Sequence, residues 1–344
     1  MDSLFLKTLN NEKSARPPFW FMRQAGRYLP EYRALREKAD GFMNLCLNSK
    51  LACEVTLQPI SRFNPDAAIL FSDILVVPYG LGVGVDFVEG KGPILDAVND
   101  KSDLARLNYQ VHKTRIESTY DTVQLCREKL SADKVLIGFA GSPWTVATYM
   151  VEGGSSKNYV KVKSWAYKDK ASFSALIEII VDATIQHLIA QIESGAEVIK
   201  LFDSWAGVLS PKEFNEWVIL PTKEICEQLK SKYPSVKIIG FPRGAGPNYL
   251  DYVNKTSIDA VAIDTNVCPL WAANSFGKEV IIQGNLDPVS LIAGGDAMLR
   301  ETSSIIKAMG SRPHIFNLGH GVLPETPPEN VERLAAYIYS IDEG

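Results

Sequence analysis

Apolar and polar positions along the chain alternate between short apolar runs and longer segments with a helical period. Seven of the apolar runs are rich in β-branched residues, which is typical of parallel strands buried on both faces. An eighth strand is predicted at residues 19–22. The seven runs span residues 67–71, 135–139, 198–202, 236–241, 260–263, 280–283 and 314–318.

The segments between these runs carry signals of helix start and helix end. Residues 210–213 and 326–329 each place a capping residue, a proline for the first turn and a capping-box glutamate in register. Residues 176–193 have apolar side chains at steps of three and four and stop just before Gly195, a helix-ending signal. Because another apolar run follows at once, the repeating unit is strand, helix, strand.

Eight such units favour the α/β class and, within it, a single (β/α)8 TIM barrel with its active-site cleft at the C-terminal ends of the strands. An open, doubly wound sheet is the alternative. No stretch rich in Gly, Ser or Pro is long enough to act as a linker between domains. We therefore expect residues 1–344 to form one domain.

Polar side chains follow six of the predicted strands. Because the parallel strands of a barrel end at the same rim, these side chains should converge at one mouth. They are Ser72 and Asp73, Ser142, Asp203 and Ser204, Asp264, Asn285 and Asp287, and His320.

Charge and cysteine content narrow the function classes. The 36 Lys and Arg residues against 40 Asp and Glu give a net charge of −4, so no basic field exists to bind nucleic acid or an anionic membrane. No apolar run approaches the roughly 20 residues that cross a bilayer, and no signal-peptide pattern is found, which predicts a cytoplasmic protein. The five cysteines show no CxxC spacing, so neither a metal site nor a disulfide framework is expected.

Two arginines, Arg23 and Arg27, stand four residues apart in the apolar and aromatic stretch of residues 18–31. A guanidinium binds carboxylates through a planar fork and stays charged at any working pH. The pair therefore predicts a clamp for a substrate rich in carboxylates. The alternative is an arginine pair on the surface of a helix.

The stretch of residues 18–31 resembles the N-terminal signature of the uroporphyrinogen decarboxylase family, and residues 138–154 resemble a second signature of that family. Two departures are Ser142, where many members have Ala, and Arg243, where others often carry Lys. Neither departure is expected to touch a catalytic residue. Further segments follow in the family's order, at residues 71–75, 201–207, 283–288 and 317–321.

This resemblance implies a homodimeric enzyme with adjacent active-site clefts, working in porphyrin and haem biosynthesis. Its reaction would convert the four acetate side chains of uroporphyrinogen III to methyls, giving coproporphyrinogen III and CO2, with no cofactor and no metal. Most decarboxylases spread the carbanion into an organic cofactor or a metal-bound carbonyl. A pyrrole protonated next to the acetate-bearing carbon can accept those electrons, so the substrate would serve as its own electron sink.

The resemblance also implies roles for individual residues. Asp73 would accept hydrogen bonds from the pyrrole N–H groups and stabilise the cationic intermediate; the alternative is an aspartate that caps the next helix. The proton donor is left open, because a guanidinium is poorly matched to proton transfer near neutral pH. The predicted catalytic residues are Asp73, Arg23, Tyr149 and His320. The predicted substrate-binding residues are Arg23, Gln24, Arg27, Ile69, Asp73, Phe139, Tyr149, Ser204 and His320.

Two other functions compete with this interpretation. A methyltransferase of the same barrel superfamily would bind zinc through His and Cys, but the sequence has no His-x-Cys pair. A non-catalytic porphyrin-binding protein would have no need of Asp73 beside an arginine pair. His187, three or four residues from alanines in the predicted helix 176–193, is expected to be a core or interface residue rather than a functional one.

Overall fold

The centre of the computed structural model is a barrel of parallel strands, and the structure describes residues 3–39, 41–88 and 90–341. The strands are β1 (Ala67–Ile69), β2 (Val85–Val88), β3 (Gly92–Leu95), β4 (Val135–Gly141), β5 (Val198–Asp203), β6 (Lys237–Pro242), β7 (Ala260–Ala262), β8 (Ile281–Gln283) and β9 (His314–Ile315). Seven of them pair in parallel in the order β1-β4-β5-β6-β7-β8-β9. The remaining two, β2 and β3, form an antiparallel hairpin beside the barrel.

Residues 18–20, the closing segment, complete the barrel between its first and last strands. Phe19 forms a parallel bridge with Phe316, whose N–H donates to Pro18 O (2.8 Å). On the other side, Asp66 N donates to Phe19 O (2.9 Å). The closing segment is therefore the predicted eighth strand, and it confirms the (β/α)8 barrel over the open sheet.

Helices follow the barrel strands along the chain and form the outer layer. They are α1 (Leu4–Leu9), α2 (Pro30–Lys38), α3 (Phe42–Cys46), α4 (Ser49–Phe63), α5 (Val76–Gly80), α6 (Tyr109–His112), α7 (Glu117–Lys129), α8 (Pro143–Glu152), α9 (Val160–Lys168), α10 (Lys170–Glu193), α11 (Pro211–Phe214), α12 (Leu220–Lys232), α13 (Tyr249–Lys255), α14 (Pro269–Ser275), α15 (Pro288–Ala293), α16 (Gly295–Met309) and α17 (Pro328–Ser340). Short 3-10 turns lie at Lys101–Arg106, Lys113–Ile116, Ala206–Val208 and Gly246–Asn248, and a π-helical turn lies at Asn215–Ile219.

Helix α10 packs against the barrel and fixes the backbone of β4. The Gln191 side chain accepts a hydrogen bond from Phe139 N and donates one to Phe139 O, both at 2.9 Å. His187 lies beside Gln191 and is buried, which lowers its pKa to about 4, so its predicted core position is confirmed. By length and composition alone α10 could cross a membrane, contrary to the expectation from the sequence, but one of its faces is buried in the core.

Two local predictions, the capping boxes at residues 210–213 and 326–329, were wrong. Helices α11 and α17 begin at predicted prolines, Pro211 and Pro328, yet neither capping box forms. Glu213 instead accepts a hydrogen bond from Trp217 Nε1 (2.6 Å). The apolar pattern also gives no sign of the β2–β3 hairpin, because most of its side chains are partly or fully exposed and so form no continuous apolar run.

Candidate active site

The C-terminal ends of the barrel strands meet at one rim, which we call the mouth, and a polar residue follows each strand there. In order round the mouth these residues are Arg23 after the closing segment, Asp73 after β1, Tyr149 in α8, the helix after β4, Ser204 after β5, Arg243 after β6, Asp264 after β7, Asn285 after β8 and His320 after β9. The four predicted catalytic residues therefore share one site. Their charges act on one another, since Arg23 shifts the pKa of Asp73, of Tyr149 and of His320.

The loop that carries Arg23 is pinned to the strands on both sides of it. The Gln24 side chain accepts a hydrogen bond from Phe21 N (3.1 Å) and donates one to Ala67 O (3.2 Å) of β1. Met22 N donates to Asn317 Oδ1 (3.0 Å), just beyond β9. Both ends of the buried Gln24 amide are thus used to position the arginine loop, and its predicted contact with substrate stays a prediction.

Arg23 and Arg27 both extend from this loop as exposed side chains at the mouth. Arg23 adopts a left-handed backbone conformation (φ 62°), and a side-chain carbon at Gly321 would collide with its aliphatic stem. Glycine at 321 therefore leaves room for Arg23 to lie over the turn that carries His320. Neither guanidinium forms an ion pair within the described part of the chain, which leaves both free to bind an anion.

Asp73 is the acidic residue that faces these arginines. Its Oδ1 accepts a hydrogen bond from Leu75 N (2.9 Å) in the turn before α5, whereas Oδ2 accepts none from the described residues. Burial raises the pKa of Asp73, and both the Leu75 hydrogen bond and the Arg23 charge oppose that rise. The carboxylate is therefore short of stabilising partners, and a cation or an N–H donor placed in the cleft would stabilise it.

An aromatic wall stands on the β4 and β5 side of the mouth. The ring centroid of Trp205 lies 6.1 Å from that of Tyr149 and 5.6 Å from that of Tyr159. Burial raises the pKa of Tyr149, and the neighbouring Asp73 charge raises it further. Tyr149 thus remains a neutral phenol at neutral pH and can donate a hydrogen bond to a carboxylate.

Ser204 lies between two anchored residues. Thr145 Oγ1 donates to Asp203 Oδ1 (2.5 Å) and accepts from Trp205 N (3.1 Å), and Trp144 Nε1 donates to Trp205 O (3.0 Å). These contacts fix the backbone on both sides of Ser204. Burial raises the pKa of Asp203 to about 7, so this acid is partly protonated near neutral pH.

His320 is half-buried on the opposite side of Arg23 from Asp73 along the rim. Its pKa is lowered to about 3, first by burial and then by the charges of Arg23 and Arg243, with Asp264 opposing. The imidazole is therefore neutral at neutral pH. Without substrate it can form hydrogen bonds, but it carries no proton to donate as a cation.

Arg243 is a site residue that the sequence interpretation missed. The sequence interpretation expects no contact between Arg243 and a catalytic residue, which stays a prediction, but the charge of Arg243 acts on Arg23, His320 and Tyr159 and so places it at the mouth. The signal was present, because Arg243 follows β6 just as Asp73 follows β1. Arg243 was overlooked for two reasons: the apolar run before it ends in Phe241-Pro242, and an Arg in place of Lys was taken for a conservative difference.

The floor of the cleft is apolar and aromatic. Ile69 and Phe139, both predicted to contact the substrate, lie near the ends of β1 and β4, and the Phe139 ring meets that of Phe202 at 5.5 Å. Beneath them Lys200 is fully buried, with Nζ 5.1 Å from the centroid of Trp20 and 5.2 Å from that of Phe202. Burial holds the pKa of Lys200 well below its usual value.

Other possible sites are less well supported. Over the described residues no group of three or more His, Cys, Asp or Glu side chains gathers as a metal site would require. A cavity of about 940 Å³ opens on the outer face of α4, far from the mouth. Arg62, one of the charged residues that line it, pairs with Glu31 and Glu332 and is not available to a ligand as an unpaired cation.

The chain matches known proteins over nearly its whole length. The sequence model of the uroporphyrinogen decarboxylase (URO-D) family matches residues 1–341. A uroporphyrinogen decarboxylase of Rhodospirillum rubrum is 49% identical over 330 residues, which are 96% of this chain and 95% of the relative. One of Granulibacter bethesdensis is 49% identical over 344 residues, which are 99% of this chain and 100% of the relative. Among solved structures, a methyltransferase from Methanosarcina mazei superposes with a TM-score of 0.81 over 99% of both chains at 19% identity, which shows a shared fold alone.

Proposed function

Because the chain belongs to the uroporphyrinogen decarboxylase family, it is a carboxy-lyase of porphyrin biosynthesis, and we propose that it removes CO2 from the four acetate side chains of uroporphyrinogen III. The products are coproporphyrinogen III and CO2. One observation carries the assignment of the site: Asp73, a carboxylate whose pKa burial raises, lies near Arg23, and neither side chain has an ion-pair partner among the described residues. The methyltransferase and the porphyrin-binding alternatives are not favoured, since the close relatives are decarboxylases.

The mechanism assigns binding and charge stabilisation to different residues. Arg23 and Arg27 bind carboxylates of the macrocycle, while Ile69 and Phe139 contact its apolar face. Asp73 accepts hydrogen bonds from the pyrrole N–H groups through its free oxygen and stabilises the pyrrole cation in a cleft of low dielectric constant. This stabilisation is greatest when the positive charge is greatest, so it lowers the barrier rather than only binding substrate.

Each decarboxylation then balances without a cofactor. A proton adds to the pyrrole carbon next to the acetate-bearing one, the C–CO2 bond breaks, and its electron pair flows into the cationic ring. A second proton adds to the methylene carbon to form the methyl group, and the ring proton leaves. Tyr149, Ser204 and His320 bind carboxylates or pass protons, and the donor of the first proton is left unassigned.

We also propose that residues 1–344 form a single domain that works as a homodimer in the cytoplasm. The family match over residues 1–341 supports the single domain. Leu250, Leu270 and Val289 support the dimer: each stands second in the helix after β6, β7 or β8, and each is exposed. These helix starts lie at the mouth, so a second copy covering them would bring two clefts together.

A decarboxylation assay on chelator-treated, dialysed protein tests the proposed function. Uroporphyrinogen III should be converted to coproporphyrinogen III at the rate of untreated protein. Loss of activity that zinc restores would contradict the proposal and favour the methyltransferase. Binding of uroporphyrinogen III without release of CO2 would also contradict it and favour a porphyrin-binding protein.

A further inference from the structure

Arg243 stands across the mouth from the arginine loop. Round the eight-membered barrel, β6 is four strands from the closing segment in either direction. Arg243 follows β6 and Arg23 follows the closing segment, so the two arginines belong to opposite sides of the rim. A flat macrocycle with carboxylates at its edge would meet cations at both sides.

The backbone beneath Arg243 is fixed. Arg243 N donates to Asp203 O (3.0 Å), and Arg243 O accepts from Gly207 N (3.0 Å). Gly244 N donates to Asp264 Oδ2 (2.8 Å), which closes the turn on its other side. The guanidinium therefore projects from a rigid base, which reduces the entropy lost when a ligand binds.

The charge of Arg243 stays unpaired in the part of the chain that the structure describes. The side chain is half-buried, and no acidic group of the described ranges lies within ion-pair distance of it. Asp264 is the acid nearest to Arg243 in the rim order, but both of its oxygens already accept hydrogen bonds. Besides the bond from Gly244 N, Oδ2 accepts one from Tyr249 OH (3.0 Å), and Oδ1 accepts one from Asn266 N (2.9 Å). Arg243 also repels Arg23, and an anion bound between them would relieve that repulsion.

We propose that Arg243 is a substrate-binding residue that takes a carboxylate of the macrocycle on the side of the mouth opposite Arg23 and Arg27. The inference rests on the proposed function, because it needs a ligand with carboxylates on more than one side. The guanidinium fork of Arg243 fits a carboxylate bidentately, whereas Lys at this position would supply a point charge. The carboxylate is either an acetate that the reaction removes or one that remains in the product.

The test compares the full-length variants Arg243→Gln and Arg243→Lys with the control Arg300→Gln, an equal loss of charge at an exposed arginine of α16. KM and kcat are measured for uroporphyrinogen III, and Kd for coproporphyrinogen III. Arg243→Gln should raise KM about tenfold or more, which corresponds to one lost charge-assisted contact. Arg243→Lys should recover part of the loss, and Arg300→Gln should match wild type.

The two ligands identify the carboxylate. A weaker Kd for coproporphyrinogen III in Arg243→Gln assigns the contact to a carboxylate that the product retains, and an unchanged Kd with a raised KM assigns it to an acetate. If wild type turns over the substrate, and KM and Kd of both Arg243 variants lie within twofold of the values for Arg300→Gln, the proposal is overturned. An inactive wild type would instead defeat the proposed function, and the Kd measurement would still decide the role of Arg243.

Discussion

The two ends of the barrel differ in whether their charged side chains form ion pairs. At the end opposite the mouth, Arg16 donates to both oxygens of Asp66, at 2.8 and 2.9 Å, and Phe19 N donates to Asp66 Oδ2 (2.8 Å). Both side chains are buried, and the Arg16 guanidinium lies 4.3 Å from the ring centroid of Tyr339. At the mouth, Arg23, Arg27 and Arg243 form no ion pair among the described residues, although the charge of Arg23 acts on Asp73.

This difference separates charges that stabilise the fold from charges that await a ligand. A paired, fully hydrogen-bonded ion pair adds rigidity where the closing segment enters the barrel, and its loss leaves an uncompensated buried charge. Unpaired cations do not stabilise the free protein. They become favourable when an anionic ligand arrives, which agrees with the rule that barrel residues at the C-terminal ends of strands serve function.

The largest expected effect is on stability, at the paired end. Asp66→Asn takes the Asp66 charge away from the buried Arg16 guanidinium, and we expect the free energy of unfolding to fall by about 3–5 kcal/mol. Denaturant unfolding measures this, with turnover per folded molecule expected to stay near wild type. Asp296→Asn is the control, since Asp296 pairs with Arg333 on the surface and should change stability by less than about 1 kcal/mol. Equal stability of the two variants would contradict the comparison.

The same substitution at the mouth should have the opposite result. Asp73→Asn keeps an oxygen acceptor for Leu75 N but removes the charge, so turnover should fall about a hundredfold or more. The free energy of unfolding should be unchanged or higher, because burial disfavours the charged form of Asp73. Product formation and denaturant unfolding are measured on one preparation. A stable variant with near-normal turnover would remove Asp73 from the mechanism.

A smaller effect is expected on the pH dependence of stability, at Asp203, an acid at the mouth with no ion-pair partner among the described residues. Burial raises the pKa of Asp203 from 3.8 to about 7, so the folded chain binds this proton more tightly than the unfolded chain does. The contribution of Asp203 to stability is therefore greatest below about pH 4 and is lost as pH rises towards about 7. Asp203→Asn removes this loss, and the slopes of unfolding free energy against pH should differ by up to about 1.4 kcal/mol per unit. Identical slopes between pH 4.5 and 6.5 would refute this assignment.

Much of the fold could be predicted from the sequence, because buried parallel strands appear in it as short apolar runs. The runs that became β4 and β5 stand out by their β-branched residues, and the strand-end rule brought Asp73, Ser204 and His320 to one rim. The roles of the predicted site residues remain predictions. What the sequence reasoning recovered is their common location.

The missed features depend on contacts between distant parts of the chain. The pairing of Arg16 with Asp66 joins residues 50 positions apart, and no local pattern marks it. The role of Gln24 depends on Ala67 O, a main-chain acceptor that sequence does not display. Arg243 is different, because its position after a predicted strand could be seen in the sequence. It was overlooked because an Arg in place of Lys was taken for a conservative difference.

The mouth cations are expected to stay unpaired until a carboxylate-rich ligand binds. One measurement tests this expectation directly: thermal unfolding of the double variant Arg27→Gln, Arg243→Gln with and without coproporphyrinogen III. Wild type should gain about 2.7 kcal/mol of stability at a ligand concentration a hundred times Kd. The double variant without ligand should be as stable as wild type or more so, and it should lose most of this gain where the two arginines bind carboxylates that the product retains. A large loss of stability without ligand, together with a full ligand-induced gain, would show instead that these cations stabilise the fold and do not bind the ligand.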